Sequence, residues 1–309
     1  MTSSEAPDIE DLLPPKPQAP KPSDCCGTGC FPCVHDIYEQ DLKVWKRKCE
    51  LIRSGGTEEK QQITGAVQPD KWNEFEIIAV TELSNNTYLY TFKLEDDQCL
   101  GISVGQHLIV KQVKNGKTIT RQYTPISDIY RRGSFEVLIK IYPMGKITPI
   151  IKDWKVQDKV PWRGPFGNFS YKENSYKRIL MLAAGTGIAP MYQLIKNIVE
   201  NEYDETFIKL NYASKSFTGI LLREELSSYC QYWNFTVSYY LSEEVDISKK
   251  RYSEEIVARR LSKEDVRQDL AKGPVGATLV LICGTKSFDK DMVNCAKDAK
   301  VPEENIFKF

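Results

Sequence analysis

The most restrictive feature of this sequence is a strand-like run, residues 178–184, that becomes continuously apolar and leads directly into Gly185-x-Gly187-x-x-Pro190. A strand that is apolar along its length is typical of a parallel sheet covered on both faces. Glycines at a strand–helix junction let the backbone approach a phosphate, and Pro190 suits the first turn of a helix. The pattern predicts a βα unit with a dinucleotide-binding turn, and a tight βα turn without a ligand is the alternative.

The residues after this turn continue to alternate between strand and helix patterns. Such alternation predicts a doubly wound parallel sheet, which we assign to residues 173–309. The predicted strands are 207–212, 235–241 and 278–283, with 305–309 as a last edge strand, and the predicted helices are 191–199 and segments near 220–229, 253–261 and 288–299.

The preceding stretch, residues 71–172, has short β-type runs and no helical period before about residue 146. Closely spaced antiparallel strands of this kind predict a small barrel, and Asn115-Gly116 is a hairpin signal within it. The predicted strands are 75–80, 88–94, 107–110 and 135–142; a helical stretch is expected over 145–152 and a rigid turn over 164–167.

The first 70 residues differ in composition from both of these regions. Residues 1–24 are rich in proline and predict a disordered or polyproline-like arm, and residues 25–70 contain a cysteine cluster, a short predicted helix at 36–45 and a polar linker. Within the cluster, Cys26, Cys30 and Cys33 are candidate ligands of zinc or an iron–sulfur centre. A disulfide or a structural turn is the alternative, since Cys-x-x-Cys spacing fits both.

Composition excludes several classes of function. Lys+Arg and Asp+Glu both total 42, so the chain lacks the basic excess of a general nucleic-acid binder. No apolar run approaches the roughly 18 residues of a membrane span. Five of the nine cysteines are scattered, which favours a reducing intracellular compartment, cytoplasmic or organelle-associated. We expect a monomer without a transmembrane segment.

A second motif, Arg121-x-Tyr123-Thr124-Pro125-x-Ser127, lies in the predicted barrel. An arginine can bind a phosphate through two parallel hydrogen bonds, a tyrosine can stack on a flat ring, and the two hydroxyls can donate to ring carbonyls or phosphates. Pro125 suits a sheet edge or a strand end.

Two further places could contact a cofactor. The stretch from Gly145 to Thr148 opens a helix whose amides and hydroxyl could hold part of a pyrophosphate, or simply cap the helix. Cys283 ends a buried strand at the carboxyl edge of the parallel sheet and could touch a nicotinamide, although a buried core cysteine is the commoner case. The motifs of zinc peptidases, serine hydrolases and Walker-type NTPases do not occur in the sequence.

These motifs, in this order, resemble the ferredoxin reductase superfamily, and within it the NADH-cytochrome b5 reductases, over residues 73–309. The block around Cys25–Cys33 resembles the oxidoreductase-like N-terminal segment. The matching motifs are Arg121-x-Tyr123-Thr124-Pro125-x-Ser127, Gly164-Pro165-x-Gly167, Gly185-Thr186-Gly187-Ile188-x-Pro190-Met191 and Cys283-Gly284, supported by Gly105-Gln106-His107-Leu108, Leu221-Leu222-Arg223-x-Glu225-Leu226 and the terminal Phe309.

The resemblance implies FAD in the barrel and NADH, or else NADPH, on the parallel sheet. On the FAD side it implies that Arg121 holds the pyrophosphate and that Tyr123 and Thr124 lie along the isoalloxazine. The other implied FAD contacts are Pro125, Ser127, Lys140, Tyr142, Gly145, Ile147 and Thr148.

On the nicotinamide side the resemblance implies two catalytic contacts, Thr186 at the flavin–nicotinamide junction and Cys283. The residues that would frame NAD(P)H with them are Gly185, Gly187 and Pro190, with Phe309 closing the pocket. Ser242 stands where an acidic residue often favours NADH, and Glu243 and Glu244 follow it, so the choice between NADH and NADPH stays open.

The implied function is a flavoprotein reductase that passes a hydride from NAD(P)H to FAD and then single electrons to a haem protein such as cytochrome b5. The alternative is an FAD-poor, degenerate reductase fold that serves as a binding or assembly module. This alternative is motivated by the short Pro143-Met144 segment and by Thr285, which follows Cys283-Gly284 in place of a proline. In a third hypothesis the cysteine cluster is a second redox centre.

Overall fold

The computed structural model of the chain describes residues 13–24, 34–53, 65–84 and 86–309. The candidate metal ligands Cys26, Cys30 and Cys33 lie outside the described residues.

The first sheet is a six-stranded antiparallel barrel with the order β4-β3-β6-β1-β2-β5. Near its two end strands, β4 and β5, an isolated bridge joins Pro125, which follows β4, to Val137 of β5. The antiparallel barrel is confirmed. Its strands are β1 (Asn73–Ser84), β2 (Thr87–Lys93), β3 (His107–Lys114), β4 (Lys117–Tyr123), β5 (Ser134–Lys140) and β6 (Lys159–Phe166).

The barrel interior is filled by aromatic rings. Phe92 stacks on Phe135 with 4.9 Å between ring centroids, and Trp162 meets Phe92 edge-on at 5.3 Å. The three side chains are almost completely buried. They come from β2, β5 and β6, so one aromatic cluster joins strands that are distant in the chain.

The hairpin predicted at Asn115-Gly116 is confirmed between β3 and β4. Both residues have positive φ angles, 52° and 72°. Two left-handed residues in succession form the turn type whose twist matches that of the flanking strands. Asparagine and glycine tolerate this conformation better than other residues do.

The second sheet is parallel, with the order β10-β9-β8-β7-β11-β12, and confirms the doubly wound prediction. The short β12 lies at its edge, as predicted. The strands are β7 (Arg178–Ala184), β8 (Phe207–Ser214), β9 (Phe235–Leu241), β10 (Glu255–Val257), β11 (Thr278–Cys283) and β12 (Ile306–Lys308). The α-helices of the described residues are α1 (Val34–Arg53), α2 (Thr148–Ile151), α3 (Ile188–Val199), α4 (Arg223–Tyr229), α5 (Lys263–Ala271) and α6 (Lys286–Asp298).

The helix predicted near residues 253–261 is wrong, because β10 occupies this stretch and pairs in parallel with β9. A carboxylate oxygen of Glu255 accepts a hydrogen bond from Lys209 Nζ at 3.0 Å, which ties the strand to the interior of the sheet. The helix begins later, at Lys263, where Ser262 and Asp265 form a reciprocal capping box.

The rigid turn predicted over residues 164–167 is wrong for its first three residues, which end β6. A Cβ at Gly164 would lie 2.6 Å from Leu108 Cδ2. This glycine therefore allows the close approach of β6 to β3 and does not form a turn. Gly167 follows the strand directly and has a φ of +105°, which favours glycine there.

Helix α1, at 20 residues, is longer than the predicted helix at 36–45 and packs against the barrel. Arg163 Nη2 donates to Asp41 Oδ2 at 2.8 Å, and Trp45 Nε1 donates to the carbonyl of Pro14 at 2.7 Å. Residues 65–70, which composition assigns to the linker, contribute the fully buried Val67 to the barrel core. Among the described helices, none is both long and apolar enough to cross a membrane.

We expect Phe92→Ala to lower the free energy of unfolding by about 3–5 kcal/mol, because it leaves a cavity in the aromatic cluster. Urea denaturation followed by circular dichroism measures this loss. The control is Tyr130→Ala, whose side chain is 77% exposed, and it should change stability by less than about 0.5 kcal/mol. Equal effects of the two substitutions would contradict the assigned core.

Candidate functional site

The slot between the end strands β4 and β5 brings together the side chains predicted for FAD. Tyr123 packs edge-on against Trp162 with 6.1 Å between ring centroids. Burial raises the pKa of Tyr123 well above its usual range, while the neighbouring Arg121 guanidinium opposes that rise and Tyr142 adds to it. The Tyr123 phenol is therefore neutral, which suits stacking on an uncharged ring system.

The two cations of the slot come one from each strand. Arg121 Nη1 donates to the carbonyl of Thr120 at 2.7 Å, which orients the guanidinium. Lys140, at the end of β5, lies with its Nζ 5.9 Å from the ring centre of Tyr142. Burial lowers the pKa of Lys140, and Lys215 lowers it further. Partly desolvated cations of this kind are suited to a pyrophosphate.

The segment after β4 closes one end of the slot. Pro125 bridges to Val137, and the backbone N–H of Glu136 donates to Ser127 Oγ at 3.1 Å. Thr124, directly before Pro125, is half-buried. The structure thus uses the Ser127 hydroxyl to hold the segment against β5.

The turn at 142–148 closes the other end. Thr148 Oγ1 donates to the carbonyl of Tyr142 at 2.9 Å and accepts from its N–H at 3.0 Å. A Cβ at Gly145 would lie 2.4 Å from this hydroxyl, so glycine is needed there. Ile147 is buried beneath the turn. The Thr148 hydroxyl is therefore bonded to the backbone of the turn. A ligand at this turn would meet backbone groups and not this hydroxyl.

The glycine turn after β7 lies at the carboxyl edge of the parallel sheet. Gly185 has a φ of +55°, and its carbonyl accepts a hydrogen bond from Tyr212 OH at 2.9 Å. A Cβ at Gly187 would lie 2.1 Å from the carbonyl oxygen of Cys283. Pro190 is buried in the first turn of α3. The turn is thus pressed against the end of β11.

Three further predicted residues meet at the same edge. Thr186 is half-buried at the tip of the glycine turn. Burial, helped by the Asp289 carboxylate, raises the pKa of the Cys283 thiol to about 12, so the thiol stays protonated. The N–H of Phe309 donates to the carbonyl of Ile282 at 3.0 Å, and its ring packs 5.1 Å from Phe169.

The two halves of the site are adjacent. Strand β5 packs against the Gly185–Gly187 turn, and Leu138 of β5 belongs to the same apolar core as Met181 of β7. A slot with neutral phenols and two cations fits a flavin dinucleotide, and a glycine turn that no side chain fills fits a second dinucleotide beside it. Two grooves of about 440 and 350 Å³ lie further along the interface of the two sheets, beside Ser127 and Lys196.

Sequence reasoning missed two residues of this edge. Tyr212 lies near the end of β8, and its hydroxyl also accepts from the N–H of Leu221 at 3.3 Å, so it joins two loops of the site. Asp289, in the first turn of α6, is only 8% exposed, and its Oδ1 has no hydrogen-bond partner in the structure. Burial raises the pKa of Asp289 to about 6 against the lowering effects of Lys308 and the Gly284 amide. Neither residue type is distinctive in a strand or helix pattern, so both needed the tertiary structure.

Family models match three parts of the chain. Residues 74–171 match the oxidoreductase FAD-binding domain, residues 181–294 the oxidoreductase NAD-binding domain, and residues 11–54 the N-terminal region of the oxidoreductase-like proteins. The first two matches coincide with the barrel and the parallel sheet.

Curated relatives extend over the full chain. The "NADH-cytochrome b5 reductase-like" protein of Mus musculus is 36% identical over 99% of this chain and 99% of its own length. The protein of the same name from Homo sapiens is 38% identical, covering 95% and 94%. Among solved structures, the cytochrome b5 reductase domain of Ulva prolifera nitrate reductase has a TM-score of 0.69 at 26% identity, covering 79% of this chain and 100% of that one.

We expect Gly187→Ala to abolish or strongly weaken nucleotide binding while FAD is retained, because a methyl group there would collide with the Cys283 carbonyl and push the turn outward. Titration with NAD+ by calorimetry and the flavin absorbance of the purified variant measure the two effects. Gly276→Ala is the control, since a Cβ at Gly276 meets no atom within 4 Å. Unchanged NAD+ affinity in Gly187→Ala would contradict the site.

We expect Asp289→Asn to stabilise the protein at pH 7.5 by about 1–2 kcal/mol. A carboxyl group whose pKa is higher in the folded than in the unfolded state stabilises the fold fully below its unfolded pKa. That stabilisation is lost as the pH rises through the folded pKa, which is about 6 for Asp289. Asparagine has no charge to bury, so the difference from wild type should vanish near about pH 3.5. Thermal unfolding across this pH range measures the difference in stability between the variant and the wild type. A stability difference that does not change with pH would contradict the raised pKa of Asp289.

Proposed function

Because the chain belongs to the NADH-cytochrome b5 reductase family, we propose that it oxidises NADH at a barrel-bound FAD and delivers single electrons to a haem protein such as cytochrome b5. Its FAD- and NAD-binding oxidoreductase domains make it an NAD(P)H-dependent flavoprotein reductase. The observation that carries the proposal is the contact of β5 with the Gly185–Gly187 turn, which brings the flavin slot and the nucleotide edge together.

On the barrel side, we assign Arg121 and Lys140 to the FAD pyrophosphate and the neutral Tyr123 phenol to the flavin ring. Thr124 and Pro125 continue the wall of the slot on the β4 side. The Ser127 and Thr148 hydroxyls act within the protein, where they fix the two ends of the slot. Bound FAD supplies the chemistry, since it accepts a hydride and releases electrons one at a time.

On the nucleotide side, we assign the Gly185–Gly187 turn to the NADH pyrophosphate and Thr186 to the junction with the flavin. The Cys283 thiol is protonated and uncharged, so it can pack against a nicotinamide without acting as a nucleophile. Phe309 packs beside Gly105 and Phe169 and excludes water from this edge. A hydride transfer requires no side-chain acid or base, which agrees with this set of neutral groups.

Preference for NADH over NADPH is supported by the carboxylates that follow β9. Glu243 Oε1 lies 2.8 Å from Lys215 Nζ, and Glu244 Oε2 accepts from the N–H of Phe217 at 3.1 Å. Both lie at the carboxyl ends of β8 and β9, the side of an open α/β sheet on which ligands bind, and we assign the adenosine ribose to this place. A carboxylate there accepts from a free 2′-hydroxyl and repels a 2′-phosphate, and Glu243 neutralises the nearby Lys215.

A route for electrons to a protein acceptor is supported by the exposed turn beside the slot. Tyr142 is 51% exposed and Met144 is 97% exposed. The ring of Tyr142 lies 5.9 Å from Lys140 Nζ of the slot, so an acceptor docked on this turn would approach the flavin closely. The haem-protein class of the acceptor rests on the names of the relatives.

We expect the purified protein to be yellow and to bleach on anaerobic addition of NADH, with much less bleaching by an equal concentration of NADPH. Arg121→Ala should lower FAD occupancy by about tenfold or more, because the pyrophosphate loses a charge-assisted, bidentate partner. Absorbance spectra before and after each addition measure both effects.

Lys117→Ala is the matched control, because it removes an exposed cation at the start of the same strand. It should leave the flavin content unchanged. Full occupancy in Arg121→Ala would contradict the FAD assignment. A colourless wild-type protein that stays inert after FAD is added would instead support a binding or assembly module.

A further inference from the structure

We propose that Gln193 and Lys196 of α3 are positioning residues that hold the parallel sheet in register against the barrel, so that the glycine turn faces the flavin slot at a fixed distance. This role rests on the proposed hydride transfer between the two halves of the site. Both residues lie on the helix that begins directly after the turn, and each reaches across to the backbone or side chain of a barrel loop.

Gln193 makes a buried hydrogen bond between the two halves. Its Oε1 accepts from the N–H of Gly105 at 3.1 Å, although the two residues are 88 positions apart in the chain. The side chain is only 4% exposed. The ring of Phe169 packs closely on Gly105, since a Cβ there would lie 2.4 Å from it, and the φ of +81° favours glycine at this position.

Lys196 makes a second contact one turn further along α3. Its Nζ lies 3.0 Å from Asp128 Oδ2, in the loop that follows the Arg121–Ser127 motif. The pair is partly exposed, so it contributes less than the buried amide. It nevertheless joins α3 to the same loop that closes the flavin slot.

Gln193 is close to the glycine turn along α3, so its hydrogen bond to Gly105 can fix the position of the turn. Six residues separate Gln193 from Gly187, which corresponds to roughly 9 Å along a helix. A helix is rigid over this length, so a fixed point at Gln193 also fixes the turn. Elsewhere at the interface, Ile126 and Leu138 of the barrel pack into the apolar core of the parallel sheet. Apolar contact is non-directional and does not by itself set a register.

The choice of glutamine at this position also favours a positioning role. Met191, Leu194 and Ile195 on the same helix are completely buried and apolar. Gln193 Nε2 is buried without a hydrogen-bond partner in the structure and borders the groove of about 350 Å³. An unpaired buried donor is unfavourable for stability. A position selected for stability alone would carry an apolar side chain, whereas a directional amide specifies geometry.

The test compares Gln193→Leu, which removes the acceptor, with Gln193→Glu, which keeps one. Hydrogen exchange of the Gly105 amide, read by mass spectrometry without added nucleotide, should be about tenfold faster in Gln193→Leu and nearly unchanged in Gln193→Glu. Flavin content should stay as in wild type. Stopped-flow reduction by NADH should be about tenfold slower in Gln193→Leu, with KM for NADH changed by less than about twofold.

Asn197→Leu is the matched control, an exposed amide one turn along the same helix. It should leave both readouts unchanged. Lys196→Met alters a partly exposed side chain, and it should slow reduction by about twofold to fivefold even if Gln193→Leu folds poorly. Normal reduction rates in Gln193→Leu with a deprotected Gly105 amide would overturn the positioning role and leave the proposed function intact. A wild-type flavin that NADH does not reduce would overturn both.

Discussion

The contact between the glycine turn and the end of β11 is the constraint on which the rest of the site depends. The Cα of Gly187 lies so close to the carbonyl of Cys283 that no side chain fits between them. This approach places the turn at the carboxyl edge of the sheet, where Tyr212 and Gly185 are joined by a hydrogen bond. The glycine turn also contacts β5 of the barrel, so the slot of the barrel lies beside the carboxyl edge of the parallel sheet.

Burial has a common effect on the titratable groups of the site. It raises the pKa values of Tyr123 and Cys283 and lowers that of Lys140. Desolvation disfavours the charged form of each group, so the phenol and the thiol stay neutral at physiological pH. A site of neutral walls with a few cations suits a reaction in which the cofactors exchange hydride and the protein orients them.

The N-terminal helix adds a third element to this two-domain arrangement. Asp41 of α1 pairs with Arg163, whose guanidinium also lies 4.8 Å from the ring centre of Trp72. The pair is only partly exposed, and it ties α1 to β6 on the outer face of the barrel.

Sequence patterns alone determined the barrel followed by a parallel sheet, the Asn115-Gly116 hairpin and the position of the glycine turn. These features depend on local rules, such as continuous apolar strands and the left-handed conformations of glycine and asparagine. Local rules failed at residues 253–261, where pairing with β9 overrides any helical preference. They also failed at Gly164, where strand proximity and not a turn requires glycine. Only the tertiary structure decided that the Ser127 and Thr148 hydroxyls bond within the protein, that Asp289 is buried beside Cys283 and that Gln193 reaches Gly105. These are contacts between groups distant in the chain, and their geometry is set by how two sheets pack, which no local pattern encodes.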